Sequence, residues 1–145
     1  MNSENIVTFN LPSEIAKHEK EKCINLSKEY KIIVPLDAAA ADQLYEYDIY
    51  QNGEIRNGMV GLVFYEDTFY YMEKRLLDFI NVECGLLINM YEEEVLENDQ
   101  LDKGIQVVEL VMNNSDDSVL LDFAQKLLEL LRLAKKQGTI VGFYF

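Results

Sequence analysis

Histidine is almost missing from this chain and tryptophan is missing altogether; cysteine and proline occur twice each. Each scarcity closes off a kind of chemistry. A structural zinc site takes about four thiolate or imidazole ligands, and Cys23, Cys84 and His18 are all the chain possesses. The two cysteines form no CxxC pair. They read as ordinary buried thiols, since a domain of this size needs no bridge. Any Ser-His or Cys-His scheme must take His18 as its base. That residue lies in AKHEKEK, a charged helical surface where a solvated histidine is the simpler reading. No apolar run approaches the roughly 18 residues a membrane span requires. The opening MNSENIVTFN lacks the basic start and apolar stretch of a signal peptide, so a cytoplasmic location is expected.

What is present is an ordinary globular balance: hydrophobic residues make up 49% and charged residues 27% of 145 positions. That is enough apolar material for one core, and the length suits a single domain over 1–145. The net charge is −13, and its placement carries more information than its size. Residues 1–31 hold five acids and five lysines, and residues 103–145 hold five acids and five bases. The middle, 32–102, sets sixteen acids against Arg56, Lys74 and Arg75. Such a field repels nucleic acid and anionic membranes and attracts a basic partner. It also serves solubility.

Hydrophobic periodicity and turn residues predict an α/β (or α+β) order. Asn5–Asn10 reads as a first strand. Pro12 and Ser13 open a helix to about Tyr30, with Ile15, Cys23, Leu26 and Tyr30 on a sparse apolar side. Lys31–Leu36 is an apolar strand, and Asp37 can cap a short helix through Ala38–Ala41. Leu44–Gln51 alternates aromatic and acidic residues, which favours a strand while leaving helix open. Asn52-Gly53 and Asn57-Gly58 signal turns. Met59–Tyr65 reads as a buried strand. After Asp67 a helix runs to about Glu83, with Phe69, Met72, Leu76, Phe79 and Ile80 as its stripe and Gly85 as its stop. Leu86–Tyr91 and Ile105–Met112 read as strands around an acidic excursion, Glu92–Asp102. Asp116–Gln137 is the clearest helix, with Leu120, Phe123, Leu127, Leu131 and Ala134 along one side. Thr139–Phe145 closes the chain as a strand. The expected architecture is one mixed sheet flanked by helices, ending in a β-α-β unit over Ile105–Phe145.

The search for chemistry is mostly a record of exclusions. There is no GxxxxGK[ST] or GxGxxG phosphate cradle, and Gly58-Met59-Val60-Gly61 lacks the basic neighbours of an RNA-clamping loop. Glu92, Glu93 and Glu94 follow an apolar stretch, where carboxylates can bind Mg²⁺ or act as acid and base; a solvated charge run is the ordinary outcome. Asp99-Gln-Leu-Asp102-Lys-Gly104 breaks the order of a calcium loop. Glu29-Tyr30-Lys31 is similar to the Glu-x-Lys element of a nuclease family, but residues 1–28 contain no aspartate to complete it. No residue is assigned a catalytic or metal-ligating role, and no cofactor is expected.

The suggestive constellation is Tyr45-Glu46-Tyr47-Asp48-Ile49-Tyr50-Gln51-Asn52-Gly53-Glu54. Tyrosine offers large, stiff contact area with a polar tip and recurs among interface hot spots. Interleaved carboxylates steer and pair with Arg or Lys. Tyr45, Glu46, Tyr47, Asp48, Tyr50 and Glu54 are therefore the candidate partner-binding residues. The competing reading is an edge strand whose tyrosines pack on the core.

In size, acidity and the closing segment LLDFAQKLLELLRLAKKQGTIVGFYF, the chain resembles the bacterial immunity proteins that neutralise partner toxins, many of them nucleases. The resemblance implies a one-to-one complex with a cognate toxin and no catalysis. A basic protein partner is thus expected, with no direct nucleic-acid or membrane binding. Two other classes fit the charge: a nucleic-acid mimic or phage-type antagonist of a DNA-binding protein, and a small metal-dependent carboxylate enzyme.

Overall fold

The computed structural model describes residues 5–46, 55–90 and 93–145. Its strands are β1 (Ile6–Thr8), β2 (Tyr30–Pro35), β3 (Met59–Phe64), β4 (Glu93–Leu96) and β5 (Val141–Tyr144). They form one mixed sheet in the order β1-β3-β2-β5-β4. β1 runs parallel to β3, and the other pairings are antiparallel. The helices are α1 (Ser13–Lys20), α2 (Ala38–Glu46), α3 (Glu66–Met72), α4 (Asp78–Cys84), α5 (Leu101–Asn113) and α6 (Ser118–Gln137). A π-helical turn, Glu73–Leu77, joins α3 to α4, and a 3₁₀ turn, Asn98–Gln100, leads into α5. The α/β reading with a mixed sheet flanked by helices therefore holds.

The central strands are apolar on both sides, as a sheet covered on both faces requires. Alternation sends Tyr30, Ile32, Val34, Leu62, Phe64, Leu96, Val141 and Phe143 to one face, which we call the broad face. There they join Phe69, Met72, Leu76, Phe123, Leu127 and Leu131 from the helices in one large core. Ile33, Met59, Val63 and Tyr144 point to the narrow face. They form a smaller cluster with Ala40 and Leu44 of α2, Ile55 and Ile140.

Both ends of α6 carry recognisable signals. Asp117 caps α6 by accepting from Val119 N (3.0 Å) and Leu120 N (3.2 Å). Gly138 ends it at φ 69°, a left-handed conformation that side chains disfavour.

Several boundaries differ from the sequence reading, each for a local reason. The first helix stops at Lys20, well short of Tyr30. The buried carboxylate of Glu66 takes the backbone N–H of Ile24 (2.9 Å) and of Asn25 (2.8 Å), pulling residues 24–25 out of helical pairing. Tyr30 instead opens β2, opposite Phe64.

Residues 86–90 form no strand, although Leu86 and Ile88 are buried. The Asn81 amide bonds both Ile88 O (2.9 Å) and Ile88 N (2.7 Å), which replaces a neighbouring strand as their partner. The strand lies instead inside the acidic stretch, as β4.

Ile105–Met112 belongs to helix α5, so the terminal unit is α-α-β and not β-α-β. Leu101, Gly104, Val107 and Val108 are its buried residues, a helical spacing visible once Leu101 is included. β5 is antiparallel to both of its neighbours.

Phe79 is 51% exposed despite its place in the expected apolar stripe. The wider π-helical turn before it shifts the helix phase by about one residue, so that Ile80, as expected, and Cys84 face inward while Phe79 does not.

Candidate functional site

Helix α2, whose last turn opens the aromatic–acidic segment, packs on the narrow face. Asp37 accepts from Ala40 N (2.8 Å) and starts α2, and the alanine run then propagates it. Ala40 and Leu44, one turn apart, are both 3% exposed and seat the helix on the sheet. The chain after this segment is fixed by Ile55, itself buried. Ile55 lies so close over Gly61 that a Cβ there would stand 2.3 Å from its Cδ1. The stretch 45–54 is thus bracketed by two residues anchored in the same small cluster.

Tyr144 ties this layer to the far edge of the sheet. Its ring covers Gly142, where a Cβ would come within 2.5 Å of Cε2. Its hydroxyl donates to the Leu44 carbonyl at 3.4 Å. Across the next strand pair, Glu93 of β4 stands opposite Tyr144. Leu44 and Glu93, distant in sequence, therefore both adjoin one buried tyrosine. Asp37–Glu54 contains five acids and no basic residue, and 92–102 adds six acids with no base. Lys31, on the other side of Tyr144, is mostly buried and paired with Glu29 at 3.7 Å.

Of the six candidate partner-binding residues, Tyr45 and Glu46 are in the last turn of α2. Helix thus replaces the favoured strand from Leu44 through Glu46, because the Asp37 cap and alanines nucleate a helix that Leu44 anchors. Tyr47, Asp48, Tyr50 and Glu54 lie outside the described residues, as does Glu92. Glu93 is exposed on edge strand β4, and Glu94 is half-buried. Among the described residues no three His, Cys, Asp or Glu side chains are grouped to hold a metal ion. His18 is exposed on α1. Cys23 is half-buried, more open than expected. Burial, and then the carboxylates of Glu66, Asp67 and Glu19, push its thiol up to about 11, so it stays protonated at neutral pH.

Sequence reasoning passed over a second polar centre. The Tyr71 hydroxyl donates to Asp117 Oδ2. Arg75, within the π-helical turn, lays its guanidinium 3.9 Å from the Tyr71 ring centroid and donates to Tyr71 O at 2.9 Å. Its Nε is 4.0 Å from Asp117. Burial opposes ionisation of Asp117. The hydrogen bonds from Tyr71, Leu120 N and Val119 N, with Arg75 nearby, outweigh it and hold the carboxyl below its ordinary value. Burial, and then the bond to Asp117, push the Tyr71 hydroxyl upward. This centre closes one end of a groove of about 390 Å³, walled by Phe79, Leu110, Val111 and Leu120. The sequence signal for it is faint: two aspartates, Asp116 and Asp117, open the last helix, but nothing marks Tyr71 as a partner of either.

The chain matches no family model, and no curated protein or solved structure matches it either. No helix of the described residues is long and apolar enough to cross a membrane.

Proposed function

We propose that the protein is a non-catalytic acidic binding protein that neutralises a basic protein partner, in the manner of an immunity protein acting on a cognate bacterial toxin. The observation that supports this reading is that Leu44 of α2 and Glu93 of β4 both adjoin the buried Tyr144, and that each belongs to a stretch of sequence, 37–54 and 92–102, with acids and no base. Acidic surface concentrated in this way steers a basic protein and pairs with its Arg and Lys side chains. Tyr45, Tyr47 and Tyr50 are the proposed anchors; Glu46, Asp48 and Glu54 are the proposed steering charges.

The two classes of residue act on different rate constants. Steering charges set association and are screened by salt. Desolvated aromatic anchors set dissociation and are each worth roughly 2 kcal/mol or more. The test uses the partner isolated from the native host and biosensor kinetics at low and high salt. Combined Glu46→Ala, Asp48→Ala and Glu54→Ala should slow association and flatten its salt dependence, while Tyr47→Ala should speed dissociation. Binding that ignores salt and all six positions refutes this interface.

A further inference from the structure

We infer that the outer edge of β1 is a self-association surface, at which a second copy of this chain adds its own β1 in antiparallel register about a two-fold axis. Three observations converge there. The first is the open backbone edge. Among the described residues β1 ends the sheet and pairs with β3 alone. Phe9 N donates to Val63 O at 2.9 Å, so Phe9 and, by alternation, Val7 direct their backbone groups to β3. Ile6 and Thr8 therefore present their N–H and C=O outward.

The second is chemistry at the two edges of the sheet. Natural sheets protect their edges with charge. The opposite edge, β4, follows this practice with Glu93 and Glu94. β1 reads Ile-Val-Thr, uncharged and rich in β-branched residues, with Val7 46% exposed.

The third is the trough beside that edge. A cavity of about 230 Å³ runs between β1, β3 and α6, with Val7, Leu130 and Leu133 among its walls. Glu129 and Lys126, the latter also paired with Asp122 of its own helix, line it too; they are opposite in sign and one helical turn apart. A rim of one cation and one anion is self-complementary about a two-fold axis, where each can face its opposite. The segments contributing β1 and α6 each carry balanced charge, five acids with five bases, so the −13 imbalance is concentrated elsewhere in the sequence. A basic partner gains nothing here, whereas a second copy meets a neutral, apolar, strand-ready edge.

In the resulting pairing Ile6 of one copy exchanges backbone bonds with Thr8 of the other, and the two Val7 side chains stand together over the joined troughs. Three residues per strand make a small interface, so the association is weak.

Sedimentation equilibrium of the full chain, from about 10 to about 500 µM, is the test. A monomer–dimer equilibrium is expected. Raising salt from about 0.15 M to about 0.5 M should tighten it, because the repulsion between two acidic copies is screened. This is opposite in sign to the response expected of a basic partner. Val7→Lys places two like charges side by side at the axis and should weaken the dimer at least about tenfold. At concentrations where the wild type is monomeric its melting temperature should be little changed, since Val7 is already half exposed. Lys126→Glu should also weaken the dimer, and adding Glu129→Lys to it should restore association. Amide exchange at Ile6 and Thr8 should slow as concentration rises. A chain that sediments as a monomer throughout, or a dimer indifferent to Val7→Lys and to the charge swap, overturns the inference.

Discussion

The two faces of the sheet are built to different standards. The broad face is covered by α3, α4, α5 and α6, and its core includes edge-to-face ring pairs such as Phe9–Phe123 and Phe64–Phe123, each with centroids 5.2 Å apart. The narrow face has α2, Ile55 and little else among the described residues, and it uses two glycines to let Ile55 and Tyr144 lie flat on the sheet. The difference separates two tasks. The thick layer supplies most of the core, while the thin layer seats α2 and Ile55 with a small apolar cluster.

The same substitution on each face should expose this division. Leu127 is fully buried under the sheet, and Leu127→Ala should cost in the upper half of the roughly 2–5 kcal/mol typical of buried leucines. Leu44→Ala should cost about 2 kcal/mol, because a thin layer can settle into the space left. Denaturant midpoints decide the matter; equal costs would erase the distinction between the faces. Next in size is Gly142→Ala. Its methyl group must displace the buried Tyr144 ring, an overpacking expected to cost about 1–3 kcal/mol and to disturb the Tyr144–Leu44 contact. If stability and the amide shifts around Leu44 stay unchanged, the narrow face is looser than the Tyr144–Gly142 contact implies.

How much of this was legible in the sequence depended on whether a segment's partners were local. α6 is readable because its whole apolar stripe lies within it. α5 was not, since a run such as Ile105–Met112 looks the same in a strand or a buried helix; the arbiter is Leu101, four residues earlier, packed against the rest of the core. Phe79 was misplaced because a π-helical turn leaves no mark in composition. Residues 86–90 were misread because a single asparagine side chain replaced a strand partner. The acidic imbalance can be counted in the sequence, but the link from β4 to α2 runs through Tyr144, 100 residues beyond Leu44.

A smaller effect belongs to the Asp117 centre, which fastens the broad-face helices together. Asp117→Ala removes a helix cap and should cost about 1 kcal/mol. Asp117→Asn keeps the capping oxygen and should recover part of it. The pH dependence has a definite sign. The folded-state value is lowered, so the charged carboxylate's contribution is full above the ordinary value of 3.8 and is lost as pH falls through the folded value. The stability gap between wild type and Asp117→Asn should therefore narrow on acidification below about pH 4, as read by urea midpoints. The smallest change is expected at the acidic edge. Replacing Glu92, Glu93 and Glu94 together by alanine should move the melting point little, as surface substitutions typically stay within about 0.5 kcal/mol. A wild-type melting point that rises with Mn²⁺ or Mg²⁺ and loses that response in the triple variant would instead favour a metal-dependent enzyme.

The placement of β5 has a consequence for the order in which the sheet can be assembled. β5 sits between β2 and β4, more than a hundred residues beyond β2 in the chain. β2 and β3 can zip together across one connection, whereas β4 has no partner in the sheet until Val141–Tyr144 has docked. Every early intermediate that lacks β5 therefore leaves β4 unpaired, and its glutamates are then the guard against mispairing with another chain. Protection of the β4 amides during refolding consequently reports the last closure of the sheet, and should lag behind protection in β2 and β3.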